Sequence, residues 1–487
     1  MLQKLNEGRL SGLIKDTLPW LALLCALVPG TITLFAADNP PPHRPNFLFM
    51  ITDDQRYDAL GVVQKEQGAA ARWPWFKTPN MDRLANEGVR FRNAFVVHSL
   101  CSPSRAAFLS GQYGHVNGVV DNSTHFPSNS MNQAKILRDA GYKTAYVGKF
   151  HMAFQADRPG FDFVASYTSQ GEYYGSTFLV NGVAKKATNW VDDVATDYAI
   201  DFIRTNREQP WMMMLGFKTP HTPRQPPERA RHRFEGESVK AAANLKTMPS
   251  YGKGQRAFKG EEIGKPVETD TDSFGSAPYL LNYFQSISAM DDDVGRILDE
   301  LDKLGLAEDT VIVFVGDNGY YLGDHGLGDK RSAYDESMRI PMLMRYPRSG
   351  VRGKVIDEMV LNIDLAPTFL DLAGITPPKE MQGQSWVPLL HGDSSHWREA
   401  FMFVYLFERN LPATPPMLAL RTPTAKLIQY PDRRTWTELF DLKTDPYEQR
   451  NLANDPAHAA LRKQLENELD AQKKKFGDPF AEGTAAY

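Results

Sequence analysis

Four predominantly apolar runs, residues 46–52, 142–147, 211–217 and 310–315, limit the folds open to this chain more than any other feature. A half-exposed strand alternates polar with apolar. A run that is apolar throughout is buried on both faces, as in a parallel sheet covered by helices on each side. Each run then ends abruptly in polar residues. Asp53-Asp54 follows the first, Gly148-Lys149-Phe150-His151 the second, Lys218-Thr-Pro-His221-Thr-Pro223 the third and Gly316-Asp317-Asn318-Gly319 the fourth. In an open α/β sheet those carboxyl ends share one edge, where ligands bind. Taken singly each ending has a plain alternative: solvated loop carboxylates at Asp53-Asp54, surface charge at Lys149 and His151.

The intervening chain supplies the helices. Residues 80–88, 132–140, 193–206 and 365–373 read as helices, and residues 89–97 alternate like a strand. Residues 279–304 form one long amphipathic helix with Leu280, Tyr283, Ile287, Met290, Val294, Ile297, Leu301 and Leu304 as its buried stripe. Asp291-Asp292-Asp293 on that helix cannot all face one ligand at 100° spacing, so the run is expected on the solvated surface. Residues 340–344 and 360–363 are further strands. Residues 222–276, rich in Pro, Gly, Lys and Arg, read as a surface excursion, with Arg224, Arg229, Arg231 and Arg233 on a solvated face or against an anionic substrate.

Past Pro388 the pattern changes to short antiparallel pieces at 400–407, 417–421, 425–430 and 436–442, then a last helix over 456–476 with Asp455 as its N-cap. The expected fold is therefore α/β. It has a large, mixed but mostly parallel sheet flanked by helices over residues 38–392, and a smaller α+β C-terminal subdomain on an antiparallel sheet over 393–487.

A chain of 487 residues, 42% hydrophobic, can bury a large core. Its 55 basic and 59 acidic residues nearly balance, which argues against a nucleic-acid partner. Two cysteines, Cys25 and Cys101, leave no disulfide framework. Lys4, Arg9 and Lys15 precede an apolar segment from Leu18 to about Ala37, which reads as a signal peptide over 1–37. Pro19, Pro29, Gly30 and two threonines make it a poor membrane span, so export without a stable anchor is expected, to the periplasm or the exterior, or to a lysosome in a eukaryote.

Cys101-Ser-Pro-Ser-Arg-Ala-Ala-Phe-Leu-Ser-Gly111 is the remaining constellation. Ser104–Ser110 reads as a short helix stopped by Gly111, with Pro103 in its first turn. Cys101 then lies at a helix N-terminus with Arg105 one turn on, a setting that favours an anionic group. The plain alternative is a small buried hydrophobe. Around it, Asp53, Asp54, Asp317 and Asn318 form a hard-oxygen set suited to Ca2+ or Mg2+, and Arg105, Lys149, His151, His221 and Lys330 supply donors for a compact oxyanion.

These residues carry a resemblance. Cys101-Ser-Pro-Ser-Arg105 with Leu109-Ser-Gly111 resembles the type I sulfatase signature, C-x-P-S-R followed by L-[TS]-G. Asp53-Asp54, Gly-Lys149-x-His151, Pro-His221-x-Pro, Asp317-Asn318-Gly and Lys330 follow in the family's order, and Glu438-Leu-Phe-Asp-Leu with Asp445-Pro-x-Glu-x-x-Asn-Leu452 is similar to its C-terminal end. Ser110 and Gln112 stand where threonine and arginine are frequent.

The resemblance implies an alkaline-phosphatase-like fold and hydrolysis of sulfate esters. It implies that a maturation enzyme oxidises Cys101 to formylglycine, whose hydrate attacks sulfur and later expels sulfate. By matching positions, Asp53, Asp54, Asp317, Asn318 and modified Cys101 hold Ca2+, with Mg2+ as the alternative. Asp317 could also take a proton from the attacking hydroxyl. Arg105 and Lys149 steady the diol, His151 is the base for sulfate release, and His221 and Lys330 grip the sulfate and protonate the leaving oxygen. Tyr113-Gly-His115, Val119-Val-Asp-Asn122, Gln170-Gly-Glu-Tyr-Tyr-Gly and Val180-Asn-Gly182 look most like N-acetylglucosamine-6-sulfatases, which implies a sulfated carbohydrate substrate. Rival readings are a phosphodiesterase or phosphonate monoester hydrolase of the same superfamily, and a non-catalytic sulfoglycan-binding protein with unmodified Cys101.

Overall fold

The computed structural model describes residues 44–237, 240–253, 277–409, 411, 413–431 and 433–481. The expected signal peptide and the stretch from 254 to 276 of the expected surface excursion lie outside these residues. The strands in chain order are β1 (Asn46–Thr52), β2 (Val89–Phe95), β3 (Lys143–Lys149), β4 (Phe163–Tyr167), β5 (Thr177–Val180), β6 (Val183–Lys186), β7 (Trp211–Gly216) and β8 (Thr310–Gly316). They continue with β9 (Tyr321–Leu322), β10 (Gly328–Asp329), β11 (Met342–Arg345), β12 (Lys354–Leu361), β13 (Phe401–Tyr405), β14 (Met417–Arg421), β15 (Ala425–Gln429) and β16 (Glu438–Asp441).

Ten of them make one sheet in the order β12-β2-β11-β8-β1-β7-β3-β4-β5-β6. The four strands predicted from predominantly apolar runs are its contiguous centre, β8-β1-β7-β3, all mutually parallel. Their apolar continuity has a direct cause. Leu48 and Met50 of β1 pack into a core with Tyr283, Ile287 and Met290 of the long helix Ala277–Lys303. Phe47, Phe49 and Ile51 enter a second core with Phe108 and Phe369. Both faces of one strand thus need apolar side chains, each worth about 1.5–3 kcal/mol when fully buried.

The sheet is mixed because β11 lies antiparallel between β2 and β8, and β5 and β6 form an antiparallel edge. A second sheet, β13-β14-β15-β16, is antiparallel throughout and carries the helix Ala459–Phe476 against it. These layers match the α/β expectation.

Two glycines set the spacing at the functional edge. Gly148 has φ 81°, and a Cβ there would lie 2.1 Å from the carbonyl oxygen of Gly216. A Cβ on Gly216 would lie 2.1 Å from the carbonyl oxygen of Lys149. Strands β3 and β7 therefore approach with no side chain between them where both leave the sheet.

The Asp291-Asp292-Asp293 run is not solvated surface. Asp291 and Asp293 are buried. Asp291 accepts the backbone N–H groups of Asn80 and Met81 at 3.1 and 2.8 Å, so it caps the helix Pro79–Glu87 from another element. Asp292 pairs with Arg229 and Arg233. The arginines after His221 are likewise engaged: Arg229 also binds Asp193, and Arg224 is buried against the rings of Tyr279, Tyr283 and Tyr320.

Candidate active site

The expected Ser104 start of the central helix is corrected by one turn. The helix runs Cys101–Ser110 and ends at Gly111, whose φ of 68° is the left-handed stop that glycine allows. Its first turn is completed from outside: Asn122 Oδ1 accepts the Ser102 N–H at 3.0 Å, and Ser102 Oγ donates to the His151 carbonyl at 2.6 Å. Cys101 is therefore the first helical residue and is fully buried.

Around its sulfur, the strand ends converge. Carboxylate oxygens of Asp53, Asp54 and Asp317 lie within 4.8 Å of one another. An Asp53 oxygen, Cys101 Sγ and a His221 ring nitrogen form a second such group. Cys101 Sγ donates to Asp53 Oδ1 at 3.3 Å, and Lys330 Nζ stands 3.1 Å from the same sulfur. Arg105 binds two strand ends at once, with Nε on Asp317 Oδ2 at 2.9 Å and Nη1 on the Lys149 carbonyl at 2.8 Å. Asp54 takes φ 72°, which turns its backbone N–H onto Asp317 Oδ1 at 3.1 Å.

Lysines balance the carboxylates. Lys149 Nζ binds Asp53 and Gln170 Oε1, and Lys330 Nζ binds Asp54. Burial and the Asp317 charge nonetheless raise the Asp54 carboxyl above its ordinary range, against Lys330. Asn318 Nδ2 donates to Asp54 Oδ1 at 2.7 Å, leaving Asn318 Oδ1 buried without a hydrogen-bond partner. An orphaned amide oxygen beside three buried carboxylates is an all-oxygen donor set that fits a hard divalent cation.

The thiol is not poised as a thiolate. Burial pushes the Cys101 sulfur up to about 12, and Asp317 and Asp54 oppose the help of Lys330 and Arg105. The two histidines are held neutral. Burial, then the charges of Lys149, Arg105 and Lys330, lowers His151 well below its ordinary value. Burial, Lys149 and Lys330 do the same to His221. His221 Nδ1 bonds the Thr222 carbonyl at 2.6 Å, turning Nε2 toward Asp54 Oδ2 at 3.9 Å.

Lys149 and His151 would point the same way only on an extended chain, and the chain does not stay extended. The chain turns at His151, φ 50°, and the turn rather than strand alternation brings the imidazole to the site. The catalytic and metal candidates singled out from sequence are thus gathered at this edge, whereas Tyr113 and His115 lie against Met402 and Phe476. Sequence reasoning missed Gln170 as the partner of Lys149. It also missed buried Lys218, which donates to the Gln170 carbonyl at 3.2 Å, and Tyr283, whose hydroxyl bridges the Arg56 N–H and the Asp54 carbonyl. Lys218 was signalled by its place three residues before His221 and Gln170 by its family-like stretch, but neither showed the contact it makes.

Comparison with known proteins agrees with this geometry. The sulfatase family model matches residues 45–375, more than half of the chain. The chain belongs to the sulfatase family. A second model, the C-terminal part of N-sulphoglucosamine sulphohydrolase, matches residues 323–475 of this sulfatase. Over 92% of the chain it is 31% identical to an N-acetylglucosamine-6-O-sulfatase of Bacteroides thetaiotaomicron, covering 90% of that protein. It is 29% identical to an ulvan-active sulfatase of Formosa agariphila, over 90% of the chain and 83% of the relative. A solved structure described as a complex with its substrate D-glucosamine-2-N,6-O-disulfate superposes with TM-score 0.80 at 30% identity, covering 91% of this chain and all of that one. The sulfatase is a sulfuric ester hydrolase of the alkaline-phosphatase-like fold, with glycan sulfatases among its relatives. Among its described residues no helix is long and apolar enough to cross a membrane.

Proposed function

We propose that this sulfatase removes the 6-O-sulfate from a glucosamine-type residue of a sulfated glycan. In this reading Cys101 is first oxidised to formylglycine by a maturation enzyme, and a divalent cation, Ca2+ before Mg2+, is held by Asp53, Asp54, Asp317 and Asn318. The observation that carries it is the clustering of Cys101 Sγ, an Asp53 oxygen and a His221 nitrogen within 4.8 Å, in a chain 31% identical to an N-acetylglucosamine-6-O-sulfatase. The cation supplies positive charge that offsets the buried carboxylates and polarises oxygens presented to it. Formylglycine supplies an oxygen nucleophile where the encoded thiol, at about 12, is inert.

The chain's own residues do the rest. Arg105 fixes Asp317 against the Lys149 carbonyl and so holds a carboxylate ready to take the nucleophile's proton. Lys149, Lys330 and His221 surround the anionic sulfate oxygens. Those oxygens, entering among the cations that keep His221 neutral, raise the basicity of its Nε2, which then carries the proton to the leaving oxygen. His151 stays neutral with a buried, unpartnered Nδ1, the state required of a base that takes up the proton when sulfate is expelled.

Export belongs to the same proposal and is supported by the charged lead and apolar segment of residues 1–37. So does the division into 38–392 and 393–487, supported by the passage from the ten-stranded to the four-stranded sheet between Leu361 and Phe401.

The test is sulfate release from glucosamine 6-sulfate and N-acetylglucosamine 6-sulfate beside 2-O-, 3-O- and 4-O-sulfated sugars. Phosphonate and phosphodiester esters run in parallel, and the mass of the Cys101 peptide is recorded. Preference for the 6-sulfates with an oxidised Cys101 is the expected result. Faster turnover of another position or of a phosphodiester, or a wholly retained thiol in active protein, overturns it.

A further inference from the structure

The turn after His151 breaks two local preferences together. The Gln155 N–H donates to the Met152 carbonyl at 3.0 Å, closing residues 152–155 into a turn. Ala153, inside it, has φ 49°, and His151 just before it φ 50°. Glycine, asparagine and aspartate are the ordinary occupants of such left-handed positions. At the tip sits Phe154, 74% exposed, the most exposed large apolar side chain among the described residues.

This exposure is built rather than loose. Met152 is buried in the core with Tyr146 and Phe150, and Gln155 exchanges two hydrogen bonds with the Phe126 backbone, at 2.8 and 3.0 Å. With its flanks pinned inward on both sides, the turn holds Phe154 out in solvent. A single exposed aromatic needs no explanation by itself. This one follows His151 by three residues, and the His151 carbonyl is tied to Ser102, beside Cys101. A strained backbone that places an apolar ring in water three residues after a buried histidine of the site conflicts with local preference, and such conflicts concentrate at functional positions.

We infer that Phe154 is a stacking platform for the pyranose ring of the substrate, a substrate-binding residue at the rim of the site. The inference rests on the sulfated-sugar reading above. One face of a pyranose presents C–H groups, and an aromatic ring offers a rigid apolar surface with a negative π face that complements them. The charged cluster around Cys101 recognises sulfate alone. The ring contact adds recognition of the sugar. Because the ring does not touch the reacting atoms, it stabilises bound substrate and transition state alike and acts on KM rather than kcat.

The test uses matured, cation-loaded enzyme with glucosamine 6-sulfate. Phe154→Ala is expected to raise KM about three- to tenfold, the size of an aromatic contact, with kcat within about twofold of wild type. Phe154→Tyr and Phe154→Trp are expected to restore KM, and thermal unfolding of all three variants to match wild type. An unchanged KM in Phe154→Ala, or failure of both aromatic replacements to restore it, overturns the platform while the sugar reading stands. A wild-type enzyme that releases no sulfate from any sugar overturns both.

Discussion

The Lys330 ammonium stands 3.1 Å from the Cys101 sulfur, joined across 229 positions of sequence. The same ammonium binds Asp54, and the carboxylates of Asp54, Asp329 and Asp317 hold it charged above its ordinary range despite burial. Its neighbours Asp329 and Arg331 both take left-handed backbone, φ 69° and 89°, and Arg331 is clamped to Glu408 beyond β13. The segment just past β13 is thus tied to the neighbour of Lys330 by a salt bridge.

Lys330→Met is expected to lower kcat/KM for a sulfated sugar by at least about 100-fold, the scale of one lost charge-stabilising donor. Loss of the ammonium also leaves Asp54 without its lysine. The variant's melting temperature should therefore fall more in chelator than in Ca2+. Equal shifts in both buffers would separate Lys330 from the carboxylate cluster.

Exhaustive chelation is expected to abolish turnover, and Ca2+ to restore it. Asn318→Ala removes the orphaned amide oxygen while leaving the carboxylates, so it should need about 10- to 100-fold more Ca2+ for half-reactivation. Titration of activity against free Ca2+ measures this.

Asp291→Ala separates structure from chemistry. It deletes the acceptor of the Asn80 and Met81 N–H groups and frays the Pro79–Glu87 helix. A loss of about 2 kcal/mol in unfolding free energy is expected, with kcat unchanged in the folded enzyme. Denaturant melts and initial rates on the same sample check it.

Glu336 predicts a pH dependence of stability away from the reaction centre. Burial first, then the charges of Asp324 and Glu448, raises its carboxyl from 4.5 to about 8, against Arg56. His325 Nε2 faces it at 3.7 Å, and Asn244 Nδ2 donates to it at 2.9 Å. The folded state therefore binds a proton that the unfolded chain releases. The associated stability is complete below about pH 4.5 and is lost as pH rises through about 8. Glu336→Gln stays neutral at every pH. Between pH 5 and pH 9 wild type should lose at least about 3 °C more in melting temperature than the variant. Parallel curves would place the titration elsewhere.

Much of this molecule was legible in its sequence because burial on both faces leaves little room for polar residues. The ends of β1, β3, β7 and β8 announced themselves as soon as Asp53, Lys149, Lys218 and Asp317 interrupted apolar runs. What stayed hidden depends on tertiary partners. Asp291 looks solvated until the helix end it caps, 211 positions away, is packed against it. The antiparallel insertion of β11 between β2 and β8 leaves no mark on its own residues. Gln170 and Tyr283 are ordinary residues whose importance comes only from what the fold puts beside them.

Glycines 148 and 216 carry one more consequence. The gap between the segment bearing Lys149 and the loop bearing His221 is defined by two missing methyl groups. Adding one carbon to either would force a whole strand sideways and change the span between an ammonium and an imidazole that never touch those glycines. Sensitivity to substitution in this enzyme should therefore be as steep at two residues with no chemistry of their own as at the charged groups they separate.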